Sequence, residues 1–190
     1  GGVALDATGN VIVVGATQTV DEDRNMLVLK FLANGQFAWL TTYDYADLFD
    51  AAVAVDLSDG GDPLVSGASA SGTYEWEQTS LMINGQDGTI EDESRVNSSN
   101  VGFDVVTAAV RDGMGNLYLT GTTGNGPDRD IQTVKLNTTL GAVWVETYDG
   151  AGLEDGASSL AVDLDGRVFV GGYITNLAGG REMITLGYLP

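Results

Sequence analysis

Apolar residues in this chain come in runs of about four to seven, cut by clusters of Gly, Asn and Asp. Val, Ile, Leu, Tyr, Phe and Thr dominate the runs, and most of these side chains pack well on a pleated surface. Runs of that length between turn residues predict β-strands. No window of 11 or more residues carries an apolar stripe at helical spacing. The pattern predicts an all-β chain.

The runs also repeat. An apolar strand ending in Asp, a Gly-containing turn, a second apolar strand and a closing Gly recur at 3–15, 53–67, 109–121 and 160–172. Asp6, Asp56, Asp112 and Asp163 align under this reading, at spacings of 50, 56 and 51 residues. Each unit has a second half. Residues 26–31 are echoed by 131–136, and both lead through a turn into an aromatic strand. Lys30, Trp39 and Tyr43 recur there as Lys135, Trp144 and Tyr148. The middle unit carries only 80–83 and 89–93, without the Trp. Gly9, Gly115 and Gly166 should supply the positive φ of tight hairpins, whose backbone the preceding Asp carboxylate can hold. Gly15, Gly67, Gly121 and Gly172 close the second strand of each unit, where the expected reason is room for a close backbone.

Four sequential strands make an antiparallel blade with two apolar faces, and radial stacking of blades covers those faces. The expected architecture is a β-propeller of four-stranded antiparallel blades, with about four blades at 3–50, 51–103, 104–156 and 157–190 of a single segment, 1–190. Aligning Met183 with Met26 brings Tyr188 to Phe31 and Pro190 to just before the turn at Gly35. The last blade is therefore expected to be incomplete, and the segment to be part of a larger propeller that meets other blades or subunits.

On these residues the chain resembles the bacterial β-propeller repeat family known as the SBBP repeat. The resemblance is carried by an Asp before an Ala-rich strand that ends in Asp, a Gly-Asn turn, and an apolar strand ending in Gly. Asp104 through Asp112 with Gly115-Asn116, and Asp155 through Asp163, match it best; Gly9-Asn10 fits in the first unit, and Lys135-Leu136 and Trp144 fit the later half. The stretch from 60 to 96 departs from it, with a longer turn and no Trp. The resemblance implies a secreted or surface-exposed propeller of about seven blades, often one module of a larger protein. It implies no reaction, and no catalytic residues carry over.

Charge narrows the range of partners. The formal net charge is −19, from 27 acidic and 8 basic residues. Without a basic patch to neutralise phosphates the chain should repel nucleic acid and anionic membranes. No apolar run is long enough for a membrane span, and no membrane insertion is expected. There is no Cys and no His, which removes disulfides, the commonest general base and the commonest zinc ligand.

The acidic loops are the remaining candidates for chemistry. Asp21 and Asp23, Asp128 and Asp130, and Asp149 and Asp155 lie between expected strands, where carboxylate oxygens could meet calcium. None has the spacing of an EF-hand loop. No other cofactor is indicated. Trp39 and Trp144 are expected to pack between blades. Trp76, in an expected loop with neighbouring Tyr74, is the candidate contact residue for a protein or glycan partner. The functional expectation is a non-catalytic extracellular scaffold or interaction module. The alternative is a propeller that binds or degrades carbohydrate through a carboxylate pair.

Overall fold

The computed structural model describes residues 1–18, 24–73, 75–97, 102–125 and 128–190, which form strands and turns without a helix. The first blade contains β1 (Gly2–Leu5), β2 (Val11–Gln18), β3 (Arg24–Phe31) and β4 (Phe37–Tyr43). The second contains β5 (Asp50–Leu57), β6 (Pro63–Gly72), β7 (Glu75–Ile83) and β8 (Ile90–Val96), with β9 (Gly102–Phe103) added parallel to β7. The third contains β10 (Val105–Arg111), β11 (Leu117–Asn125), β12 (Asp128–Leu136) and β13 (Ala142–Tyr148). The last has three strands: β14 (Gly156–Val162), β15 (Val168–Thr175) and β16 (Arg181–Tyr188). Within each blade, neighbours in sequence pair antiparallel, and β1, β5, β10 and β14 follow one another along the inner side.

Alternation along the strands explains how the blades join. Each buries one row of apolar side chains against its successor. Ile12, Val14, Met26, Val28, Trp39 and Tyr43 meet Ala52, Val65, Leu81 and Ile83. Leu64 and Val96 meet Val106, Leu117, Leu119, Val134 and Leu136. Tyr118 and Ile131 meet Ala157, Val168 and Val170. Each fully buried Ile, Leu, Val or Met contributes roughly 1.5–3 kcal/mol. Trp39 is buried in this seam and its indole N–H donates to the Gly85 carbonyl of the next blade at 3.2 Å. Trp144 lies between Tyr118 and Tyr188, with ring centroids 6.2 and 5.6 Å away. Both tryptophans act in packing.

The hairpin between the first two strands of each blade has one form, and it corrects the repeat alignment. Asp6, Ser58, Asp112 and Asp163 open it: each donates its N–H to the carbonyl four residues on. The second blade's counterpart of Asp6 is thus Ser58, not Asp56, and the spacings become 52, 54 and 51. Asp56 stands two residues before this turn, where Val110 and Ala161 stand in the later blades. Asp56, left on the strand, accepts the Arg111 N–H of the third blade at 3.0 Å. In the other three turns the Asp carboxylate accepts two backbone N–H groups inside its own loop.

Nine residues beyond the turn residue stand Gly15, Gly67, Gly121 and Gly172. The inner strands facing the last three are bulged, between Ala52 and Ala54, Val106 and Ala108, and Ala157 and Ser159. A bulge turns a carbonyl towards the glycine. A Cβ would stand 2.0 Å from Ala51 O at Gly67, 1.7 Å from Val105 O at Gly121, and 2.3 Å from Gly156 O at Gly172. The β1–β2 ladder runs from Gly2 opposite Val14 to Leu5 opposite Val11 and does not reach Gly15, which has nothing within 4 Å of a Cβ. The expected crowding is present at Gly67, Gly121 and Gly172, which face a bulged inner strand.

Candidate carboxylate site at the blade crossings

After its outer strand the chain runs back to the inner strand of the next blade, at the end opposite the Asp6-type turns. Asp50, Asp104 and Asp155 sit at the close of these crossings, each eight residues before a turn residue and each fully buried. A crossing exposes backbone N–H groups that no ladder pairs, and a carboxylate can accept several of them. Asp50 accepts the Tyr45 N–H at 2.8 Å. Asp104 accepts the Thr123 hydroxyl. Asp155 accepts Gly150 N–H at 2.6 Å through Oδ2 and Thr175 N–H at 2.9 Å through Oδ1. The Asp155 N–H also donates to the Arg129 carbonyl of β12 at 2.6 Å. These carboxylates clamp the crossings.

At the third crossing two more acids join. Asp130 on β12, Asp149 just past β13 and Asp155 bring one carboxylate oxygen each to within 4.8 Å of one another. Burial and the charges of Asp149, Asp128 and Asp155 push the Asp130 carboxyl up to about 6. Its Oδ1 is buried and has no hydrogen-bond partner among the described residues. Asp149 is exposed, and its Oδ1 accepts Gly152 N–H at 2.6 Å. Asp128 is exposed and outside the trio. A span of 4.8 Å is twice a calcium–oxygen distance of about 2.4 Å, so one ion could touch all three oxygens. Backbone carbonyls and water would have to complete six to eight ligands.

The corresponding places in the earlier blades are neutralised. Asn25 stands where Asp130 does, and its amide donates to Asp44 at 3.2 Å. Glu77 is the equivalent in the second blade, and it pairs with Arg95 at 2.7 Å. Only in the third blade, among these three, do carboxylates face each other without an amide or guanidinium between them.

Of the sequence-level candidates, the structure brings together Asp130, Asp149 and Asp155. Asp21, Asp23 and Tyr74 lie outside the described residues. Trp76 differs from expectation: it belongs to β7, opposite Ala70, and is half-buried. Its ring packs at a tilt against Phe49 and Phe103, with centroids 4.6 and 5.8 Å away. Arg24 and Arg129 extend the stack, 5.3 Å from Phe49 and 5.7 Å from Phe103. The interrupted repeat suggested a loop; the short β9 strand, pairing with Trp76 and Glu75, makes this segment part of the sheet instead. The stack was missed in the sequence, although a signal exists. Arg24, Trp76, Arg129 and Arg181 share one position on the third strands, and Phe49, Phe103 and Glu154 each precede a buried Asp.

Two cavities open at the turn end. One, of about 560 Å³, lies between the first two blades and is lined by Asp6, Lys30, Asp59, Asp62, Gln86 and Glu91 among others. Its acids are engaged: Asp6 with its own turn and Lys30, Asp59 with Arg111, Asp62 with Gly85 N–H, and Glu91 with Asn84. Hydrogen bonds within the turn hold the Asp6 carboxyl well below the usual range, against the opposing effect of desolvation. The second, of about 680 Å³ between the third and fourth blades, is lined by Asp112, Asp163, Tyr118 and Lys135 among others. Asp112 and Asp163 are held by their turns as Asp6 is.

No protein-family model matches the chain, and no curated protein matches it. Solved structures do. A Bifidobacterium bifidum protein assigned as an exo-β-1,3-galactanase superposes with a TM-score of 0.55 at 14% identity, over 97% of this chain and 65% of that one. A Bacteroides thetaiotaomicron endo-arabinase gives 0.54 at 14% identity, over 99% and 74%. A Dyadobacter fermentans protein of unknown function gives 0.56 at 11% identity, over 97% and 59%. The chain thus spans 59–74% of the length of these structures. At such identities the likeness concerns architecture alone. What the chain shares with them is the β-propeller fold.

Proposed function

We propose that this chain is a non-catalytic, SBBP-type propeller module that acts as a scaffold or interaction surface at the cell surface or outside the cell. The observation that carries the reading is the employment of its acids. The repeated Asp residues hold turns or crossings, and those lining the 560 Å³ cavity have partners. A glycosidase needs two carboxyl groups about 5–9.5 Å apart across a substrate cleft. The Asp130 trio is packed more tightly than that, and the two large cavities described lie at the other end of the blades. The galactanase and arabinase likenesses favour carbohydrate as the first substrate class to try. A screen of galactans, arabinans and sugar esters should show no turnover. Turnover that disappears when one acid pair is changed to amides would overturn the reading.

The Asp130–Asp149–Asp155 trio favours a second role within the same module, a calcium ion that ties the third crossing to β12. Removing mutual repulsion among three carboxylates is the source of the effect. In melts at constant ionic strength, calcium should raise Tm beyond the value in magnesium, since the smaller ion demands near-octahedral geometry and keeps its waters. Asp149→Asn should abolish the difference, whereas Asp128→Asn should preserve it. Equal melts in the two ions would show that these acids do not hold calcium.

A further inference from the structure

The seam between the second and third blades buries two glutamine side chains, Gln78 and Gln132. In the first blade Tyr43 lies opposite Met26, and in the third Tyr148 lies opposite Ile131. The same register in the second blade sets Val96 opposite Gln78. Ser66 and Ser80 stand where the first blade has Val14 and Val28. They are buried and bond to each other at 3.2 Å. The face that the second blade turns to the third is therefore polar where the first blade's is apolar, and it lacks the tyrosine ring.

Gln132 reaches the same seam from the third blade. Val134 and Leu136, two and four residues further along β12, pack with Leu64 and Val96 of the second blade. Strand alternation turns Gln132 to that side as well. From the second blade, the Gln78 amide donates to the Val105 carbonyl at 3.4 Å. That carbonyl, at the bulged start of β10, points at Gly121, which pairs with Gln132. Both amides therefore flank one bulge. Both side chains are completely buried. Gln78 Oε1, Gln132 Oε1 and Gln132 Nε2 have no hydrogen-bond partner among the described residues. Buried amides in folded chains are bonded to protein or to ordered water.

We propose that this seam is a binding site for water, held between the Gln78 and Gln132 amides. The three orphaned atoms are two acceptors and one donor, and water both donates and accepts. One molecule donates to Gln78 Oε1 and accepts from Gln132 Nε2, and another donates to Gln132 Oε1. Room comes from Val96, which stands where Tyr43 and Tyr148 bring a ring; a water takes about 30 Å³. The inference goes beyond the scaffold reading and is independent of it.

The test uses the intact, isotope-labelled chain in ordinary water. Nuclear Overhauser peaks should link the side-chain NH₂ protons of Gln78 and Gln132 to the water resonance, with the sign of a molecule that tumbles with the protein. The rotating-frame experiment separates these peaks from proton exchange. Gln36, exposed between β3 and β4, should show none. Gln78→Met and Gln132→Met keep the length of the side chain and remove the amide. Each alone takes away one end of the bridge, and should lower Tm by about 2–4 °C and abolish the water peak at the remaining glutamine. The two losses should not add, and the double variant should melt no lower than the less stable single one. Absence of the water peak at either glutamine in the parent chain, or direct contacts between the two NH₂ groups in its place, would overturn the proposal. So would losses that add, or a higher Tm in either single variant, the result expected of amides that stand unpaired.

Discussion

Gly121→Ala should destabilise the chain by about 3 kcal/mol or more, at the upper end of what overpacking costs. The new Cβ would fall 1.7 Å from the Val105 carbonyl oxygen, well inside van der Waals contact. That oxygen belongs to the bulged start of β10, which the Asp104 crossing and the β11 ladder both hold. Relief therefore requires the inner edge of the blade to open, not a side chain to rotate. At roughly 2–4 °C per kcal/mol for a chain of this size, Tm should drop by about 6–12 °C. Gly15→Ala is the matched control at the same repeat position. Nothing lies within 4 Å of its Cβ, and its change in stability should stay within about 0.5 kcal/mol. Similar melts for the two variants would show that the bulges do not set the glycine requirement.

Asp155→Ala should cost about 2–4 kcal/mol in chelator, where no cation contributes. The side chain is completely buried, and its two oxygens accept the N–H groups of Gly150 and Thr175. Alanine leaves both donors without an acceptor, and an unsatisfied buried group costs about 1–3 kcal/mol. One donor lies in the third crossing and the other at the end of β15, so the loss should loosen the joint between the third and fourth blades. Hydrogen exchange at 150–156 and 173–175 should accelerate more than in the first blade. Asp128→Asn, an exposed substitution outside the trio, should leave the melt within about 0.5 kcal/mol. An unchanged melt for Asp155→Ala in chelator would remove the clamp role and leave cation binding as the reason for that acid.

The strands, the propeller architecture and the seam tryptophans are legible in the sequence itself. Short apolar runs, β-favouring side chains and Gly-containing turns are local signals, and Lys30/Lys135, Trp39/Trp144 and Tyr43/Tyr148 repeat them at a constant interval. The positive φ expected at Gly9, Gly115 and Gly166 is present, at 83°, 90° and 79°. The alignment of Asp56 with Asp6 failed because one Asp on a strand looks like another that opens a turn; only the hydrogen bond between Ser58 and Asp62 separates them. The loop expected around Trp76 failed for a related reason. A strand that pairs in parallel with two residues almost thirty positions away leaves no periodic mark of its own.

The candidate site divides along the same line. Sequence alone singled out Asp130, Asp149 and Asp155 as candidate ligands, but it placed Asp128 and Asp130 between strands, whereas both belong to β12. Tertiary structure decided that these three converge, that Asp50 and Asp104 are buried clamps, and that Phe49 and Phe103 pack against Trp76. Strand identity follows from the interactions of a residue with its near neighbours, which the sequence displays directly. Convergence depends on the path of the crossing, which carries Asp155 from the outer edge of one blade to β12 and the inner edge of the next. That path is held by the Asp155 carboxylate and by one backbone hydrogen bond to Arg129, and the partners of both are backbone groups that leave almost no trace in side-chain identity.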